Sequence, residues 1–155
     1  MTHKVPLISQ EISLCWEACG RILWGFYYGT NAKSWKNYAT RAGNYAKMKQ
    51  GLVEARMCVY YKKLGLRSLQ NASGKNIRHA LKWTPVIIPW INASKTSGHA
   101  MVVIDHKNSK YTIENPCEIQ IMDFDSPSGS SCTAKIKTVD ESYIDNNLGQ
   151  YIWYW

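Results

Sequence analysis

Helical and extended patterning are segregated along this chain, and that segregation limits the folds open to it. Apolar positions at helical spacing fall before residue 85 and β-branched runs fall after it. Cys15, Cys19, Ile22, Leu23 and Phe26 predict a helix over residues 15–28, ended near Gly29, with Glu17 and Arg21 one turn apart on its other side. Ser13 stands where it can cap the first turn, which places Cys15 at the positive end of the helix macrodipole. Leu52, Ala55, Met57, Cys58 and Tyr61 predict a second helix that stops at Leu64-Gly65, and residues 76–83 a shorter third, closed before Pro85. A mixed basic and aromatic stretch separates the first two. Residues 86–91, 100–104, 111–113, 119–124, 134–139 and 151–155 then read as strands. Polar turns at residues 92–97, 105–110 and 115–116 and a Ser/Pro/Gly loop at residues 126–131 divide them. The expectation is one α+β domain over residues 1–155, with a helical half to about residue 84, a sheet half from about residue 85, and a cleft between the layers.

Composition narrows the class. At 155 residues, with 45% hydrophobic and 19% charged, the chain can bury a core and is not a disordered segment. No apolar run approaches a membrane span, and Met1-Thr2-His3-Lys4 leads into no apolar signal region, so delivery by a leaderless route or residence in the cytoplasm is expected. Five cysteines (Cys15, Cys19, Cys58, Cys117, Cys132) form an odd set without metal-type pairs, which predicts mostly free thiols in a reducing compartment. The net charge of +8 is densest over residues 33–82 and suits either a solvated helical face or an anionic partner met by the basic helical half. No nucleic-acid motif accompanies it.

Chemistry concentrates in a few residues. A cysteine at a helix N-terminus has its thiolate stabilised by free N–H groups and the macrodipole, which makes Cys15 the candidate nucleophile. His99 follows Gly98 at the start of an apolar strand, where a rigid backbone holds an imidazole at the rim of a cleft as general base. His3, His79 and His106 fall in a tail, a short helix and a turn. The base needs an Asp, Asn or Glu at the end of a neighbouring strand to orient it. Asp123 and Asp125 both qualify, since two residues apart on a strand they share a face and only register decides between them. Gln10, with the Cys15 N–H, supplies donors for an oxyanion, an effect on the order of 3 kcal/mol per donor. Cys19 one turn beyond Cys15 makes a Cys/His/Asp zinc site formally available, but zinc leaves Gln10 and Trp16 unexplained, so neither metal nor cofactor is expected.

These residues carry a resemblance. Val-Pro-Leu-Ile-Ser-Gln10 followed by Cys15-Trp16-Glu-Ala18 resembles the start of papain-like cysteine peptidases, closest to the small bacterial branch of avirulence-effector proteases and, more distantly, bacteriocin-leader peptidases. Gly98-His99-Ala-Met-Val102-Val103 and Asp125-Ser126-Pro127 correspond to that family's later motifs, and residues 81–87 to its helix-to-strand entry. The resemblance implies a papain-like fold, with Cys15 as nucleophile, His99 as base and later acid, Asp125 as orienter and Gln10 in the oxyanion hole. The glycines and second cysteine common before the papain nucleophile are absent, Gln10 is slightly closer to Cys15, and Ser126 interrupts the Asp-Pro pair, which leaves Asp123 alive as orienter.

The function expected is a monomeric cysteine protease acting on a protein or peptide, an effector or toxin domain. The same constellation also suits a glutamine deamidase, a transglutaminase or a peptidoglycan amidase, and an inert papain-like binding module is the non-enzyme alternative.

Overall fold

The computed structural model describes residues 2–11, 13–91, 98–117 and 133–155. The first predicted helix, α1, runs Cys15–Tyr28 and is followed by α2 (Ala32–Ala42), a 3-10 turn (Gly43–Lys47) and α3 (Glu54–Leu64). Helix α2 lies in the basic and aromatic stretch to which the sequence assigned no element. Its Asn31 cap accepts from Ser34 N–H at 2.8 Å, and Ser34, Tyr38 and Ala42 make its buried face. Helix α3 stops where expected, because Gly65 takes a left-handed φ of 100° that a glycine adopts without strain.

Strand β1 (Arg67–Leu69) comes next, then α4 (Gly74–Ala80), β2 (Val86–Ile91), β3 (Gly98–Lys107), β4 (Lys110–Asn115), β5 (Lys135–Asp140), α5 (Glu141–Asp145) and β6 (Ile152–Tyr154). The six strands form one antiparallel sheet in the order β1-β6-β2-β3-β4-β5. The expected order of helices first and sheet second therefore holds, with one exception: β1, from the helical half, closes the sheet edge against β6. Residues 119–124, expected to form a strand, lie outside the described residues.

Both faces of the sheet are covered, which explains why its central strands read as continuous apolar runs. Ala100, Val102 and Ile104 of β3 join Ile87 and Trp153 against α1 and α3, while Met101 and Val103 join Ile88, Tyr111 and Ile113 beneath α4 and α5. A bulge between Val103 and Asp105 shifts the β3–β4 register.

Helix α1 is held by more than apolar contact. Glu17, on the side of α1 away from its apolar stripe, is buried under α2; its carboxylate takes Arg21 Nε at 2.8 Å and Tyr38 Oη at 2.5 Å. Tyr38 Oη meets Tyr60 Oη at 2.7 Å, and Tyr61 Oη donates to Trp16 O at 2.9 Å. These bonds tie the first turns of α1 to α2 and α3, and a buried carboxylate persists only with such partners. The approach is close enough that a methyl at Gly20 would overlap the Tyr60 phenol.

The N-terminal strap, residues 2–11, lies along the ends of β3 and β4. Its bonds are His3 N–H to Ile104 O (3.0 Å), Ile8 N–H to Glu114 Oε2 (2.9 Å) and Gln10 N–H to Pro116 O (3.1 Å). Glu114 is fully buried, and burial raises its carboxyl from the ordinary 4.5 to about 7, the Ile8 N–H acting in the other direction.

Two outcomes follow from this packing. Gly20→Ala is expected to lower the urea-unfolding free energy by about 1–3 kcal/mol through overpacking against Tyr60. For Glu114 the folded carboxyl is raised, so its contribution to stability is complete below about pH 4.5 and is lost as pH rises through about 7. Glu114→Gln, which carries no titratable proton, should melt above the parent protein at pH 8 and converge with it near pH 4. A constant offset at both pH values would refute this placement of the carboxyl.

Candidate active site

The chain enters α1 through a sharp turn. Leu14 N–H bonds Glu11 O at 3.0 Å, and Ser13 takes a φ of 62°, a left-handed conformation that costs a non-glycine residue about 1–3 kcal/mol. The expected Ser13 cap is corrected here: Leu14 occupies the N-cap position and no side chain caps the helix. The first-turn N–H groups are thereby left to other acceptors. Cys15 is the first residue of α1, as its sequence position predicted, and is partly exposed. Burial pushes its thiol up from the ordinary range, while the backbone N–H groups of Ala100 and Trp16 favour the thiolate.

His99 is the second residue of β3 and is 4% exposed. Its Nε2 lies 2.6 Å from Asn115 Oδ1, at the end of β4. The same oxygen accepts the Cys117 backbone N–H at 3.0 Å, and a backbone N–H can only donate, so this atom is an acceptor. His99 Nε2 therefore carries the proton and Nδ1 carries the lone pair. Nδ1 is buried and has no hydrogen-bond partner among the described residues. Burial lowers the imidazole to about 4, with the Asn115 bond opposing, so the ring is neutral at physiological pH.

Cys15 and His99 line one cleft of about 390 Å³. Leu52, Val53, Met57, Pro89 and Trp90 make much of its wall, and no Lys or Arg contributes to it among the described residues. Glu54 also lies along it, but its carboxylate is engaged by the N–H groups of Gln150 and Tyr151. Trp16 borders the same cleft, with its indole N–H on Gln50 O at 3.0 Å.

Gln10 is buried on the strap, its backbone N–H on Pro116 O and its side-chain amide donating to Glu11 O at 3.3 Å. It is not among the described residues that line the cleft. Asp123 and Asp125 lie outside the described residues, and the group set against His99 is Asn115. The sequence places an Asn within the class of orienting residues, but Asn115-Pro116 was read as a turn; its position at the end of a strand adjoining that of His99 was the available signal. The other histidines are engaged elsewhere: His3 Nε2 with Leu81 O at 2.6 Å, His106 Nε2 with Glu141 Oε2 at 2.7 Å, and the His79 ring against Trp83.

Free thiols are found at Cys15, Cys19 and Cys58, as expected of most of the cysteines, whereas Cys117 is disulfide-bonded. Among the described residues no helix is long and apolar enough to cross a membrane.

The fold is shared with solved peptidases. A C39-like peptidase from Bacillus anthracis aligns with a TM-score of 0.64 and 14% identity over 99% of this chain and 95% of that one. The peptidase domain of Streptococcus ComA, a bi-functional ABC transporter involved in a quorum sensing pathway, gives 0.61 and 17% over 99% and 96%. A double glycine motif protease from an AMS/PCAT transporter, in complex with the leader peptide, gives 0.62 and 15% over 99% and 92%. No curated protein sequence matches the chain. At these identities the likeness establishes the α+β papain-like architecture, with its helical N-terminal half and antiparallel sheet. The model of the papain-like cysteine protease AvrRpt2 family matches residues 1–136, and the chain belongs to that family of cysteine peptidases.

Proposed function

We propose that this peptidase cleaves peptide bonds through a thioester, with Cys15 as nucleophile, His99 as base and acid, Asn115 as orienter of His99, and Gln10 with the Cys15 N–H as oxyanion donors. The observation that carries this reading is the hydrogen bond from His99 to Asn115 in a cleft shared with Cys15, because it leaves Nδ1 as a lone-pair base. As Cys15 Sγ bonds to the peptide carbonyl carbon, its proton passes to His99 Nδ1 and the carbonyl oxygen becomes an oxyanion. Burial disfavours each ion singly, so thiolate and imidazolium form together, each offsetting the other's desolvation. The imidazolium then protonates the leaving amine, the C–N bond breaks, and water, deprotonated by His99, hydrolyses the thioester. The Gln10 amide reaches the oxyanion by exchanging its bond to Glu11 O for one to substrate.

The cleft also bears on substrate. Its apolar walls, with no Lys or Arg among the described lining residues, suit uncharged peptide side chains better than an anionic wall polymer. Lys33 and Arg41, from the basic helical half, line a separate depression beside Tyr28 and are the better candidates for any anionic partner. A structural neighbour that holds a leader peptide supports a peptide occupant. The disulfide at Cys117 supports passage through an oxidising compartment, as for a delivered effector.

Cys15→Ala is expected to abolish cleavage while leaving the circular dichroism spectrum unchanged. The measurement is the count of new N-termini in a treated proteome by mass spectrometry. Retained cleavage would overturn the assignment, and glutamine-to-glutamate conversion without cleavage would assign a deamidase. Asn115→Ala should lower kcat on the order of a hundredfold, with Asp123→Ala and Asp125→Ala near the parent value. The reverse ranking would return the orienting role to an aspartate.

A further inference from the structure

Glu114 is among the buried ionisable groups that the mechanism above leaves unused. Glu114 is fully enclosed on β4, immediately before Asn115, and successive strand residues point to opposite faces of a sheet. Asn115 therefore turns toward His99 while Glu114 turns toward the side occupied by α1 and the strap. Its Oε2 accepts the Ile8 N–H at 2.9 Å, and its Oε1 has no hydrogen-bond partner among the described residues. Two residues farther along the strap, Gln10 N–H bonds Pro116 O at 3.1 Å, and Ser9 Oγ accepts the Ala134 N–H at 2.9 Å. Ile8 itself packs on the apolar cluster around α1.

A buried carboxyl with one backbone N–H as its described partner costs stability, because a single hydrogen bond offsets little of its desolvation. Here the dependent element is short: Ser9 alone separates Ile8 from Gln10, and the Gln10 backbone N–H bonds Pro116 O. We propose that Glu114 is a positioning residue for the oxyanion side of the centre, fixing through Ile8 the strap that carries Gln10. This inference rests on the assignment of Cys15 and Gln10 given above. The end of β4 then serves both halves of the reaction, with Asn115 setting the base and Glu114 with Pro116 setting the oxyanion donor.

Two reactions of the same thiol separate this role from a general structural one. Acylation by p-nitrophenyl acetate forms an S–C bond, releases p-nitrophenolate and passes through an oxyanion. Alkylation by iodoacetamide displaces iodide and forms no oxyanion. The test uses Glu114→Leu, which removes the acceptor while filling the space, with Glu114→Met as a second filler of different shape; an apolar group replacing a buried carboxylate retains the fold more readily than a cavity does. Expected is a fall in the acylation burst rate of about tenfold or more, with the iodoacetamide rate unchanged. Glu114→Gln, which can still accept from Ile8 N–H, should restore acylation. In a Gln10→Ala background the Glu114→Leu change should have no further effect, because both act through one donor. Equal losses in both reactions, a full additional loss in the Gln10→Ala background, or a Glu114→Gln variant as slow as Glu114→Leu would overturn the proposal. A parent protein whose Cys15 is not acylated at all would overturn the underlying assignment, whereas normal acylation of Glu114→Leu would overturn this inference alone.

Discussion

The acceptor character of Asn115 Oδ1 is the constraint from which the rest of the site follows. One oxygen receives two donors, His99 Nε2–H and the Cys117 backbone N–H, and the second fixes the identity of the atom facing the first. Had the amide been reversed, its NH₂ would meet both a backbone donor and the imidazole, and the ring would present the wrong tautomer to the cleft. A neutral amide also suits the surroundings. His99 is buried enough for its imidazole to fall to about 4, and an ionised carboxylate in that place would need solvation the site does not offer. The ring is thus kept uncharged.

The thiol is governed by a different balance. A helix N-terminus, the Ala100 N–H and the Trp16 N–H all favour the thiolate, yet burial outweighs them and holds the proton on sulfur. Position is therefore the main contribution of α1. The Glu17, Tyr38 and Tyr60 bonds and the Tyr61 bond to Trp16 O hold the first turns of the helix against α2 and α3. The side chains that line the cleft opposite His99 come from the segment entering α3 and from α3 itself, so the same network sets Cys15 and the cleft wall together.

Where the sequence pattern was strong and local, it was sufficient. The 3.6-residue repeat of α1, the glycine that ends α3 and the β-branched run of β2 are properties of contiguous residues, and all three elements formed as read. The features that escaped depend on partners far along the chain. Helix α2 has only Ser34, Tyr38 and Ala42 as its buried set, too sparse and polar to stand out from its lysines. The burial of Glu17 rests on Tyr38, which lies on that helix and not on its own. Among the candidate site residues, the positions of Cys15 and His99 were legible because an element boundary marks each of them. Asn115 was not, since Asn-Pro is a common turn signal and only the β3–β4 register, shifted by the bulge after Val103, reveals what it faces.

Register is also what the site can least tolerate losing. Along β4, Glu114 and Asn115 are neighbours with opposite directions, so a slip of one residue that put Glu114 in the place of Asn115 would set a carboxylate against His99 and leave Ile113 facing the Ile8 N–H. Such a slip is opposed on every side. Tyr111 and Ile113 anchor one face of the strand in the apolar cluster under α4 and α5, and Tyr111 Oη adds a bond to Asp145 at 2.8 Å. Strand β4 is paired along its length with β5 and, across the bulge, with β3. Cys117, two residues past Asn115, is tied covalently. Moving β4 by one residue would expose two large apolar side chains worth about 1.5–3 kcal/mol each and strand the Tyr111 hydroxyl, a cost that exceeds any single hydrogen bond gained. The apolar back of the sheet, remote from the cleft, is thereby what decides which groups the cleft receives.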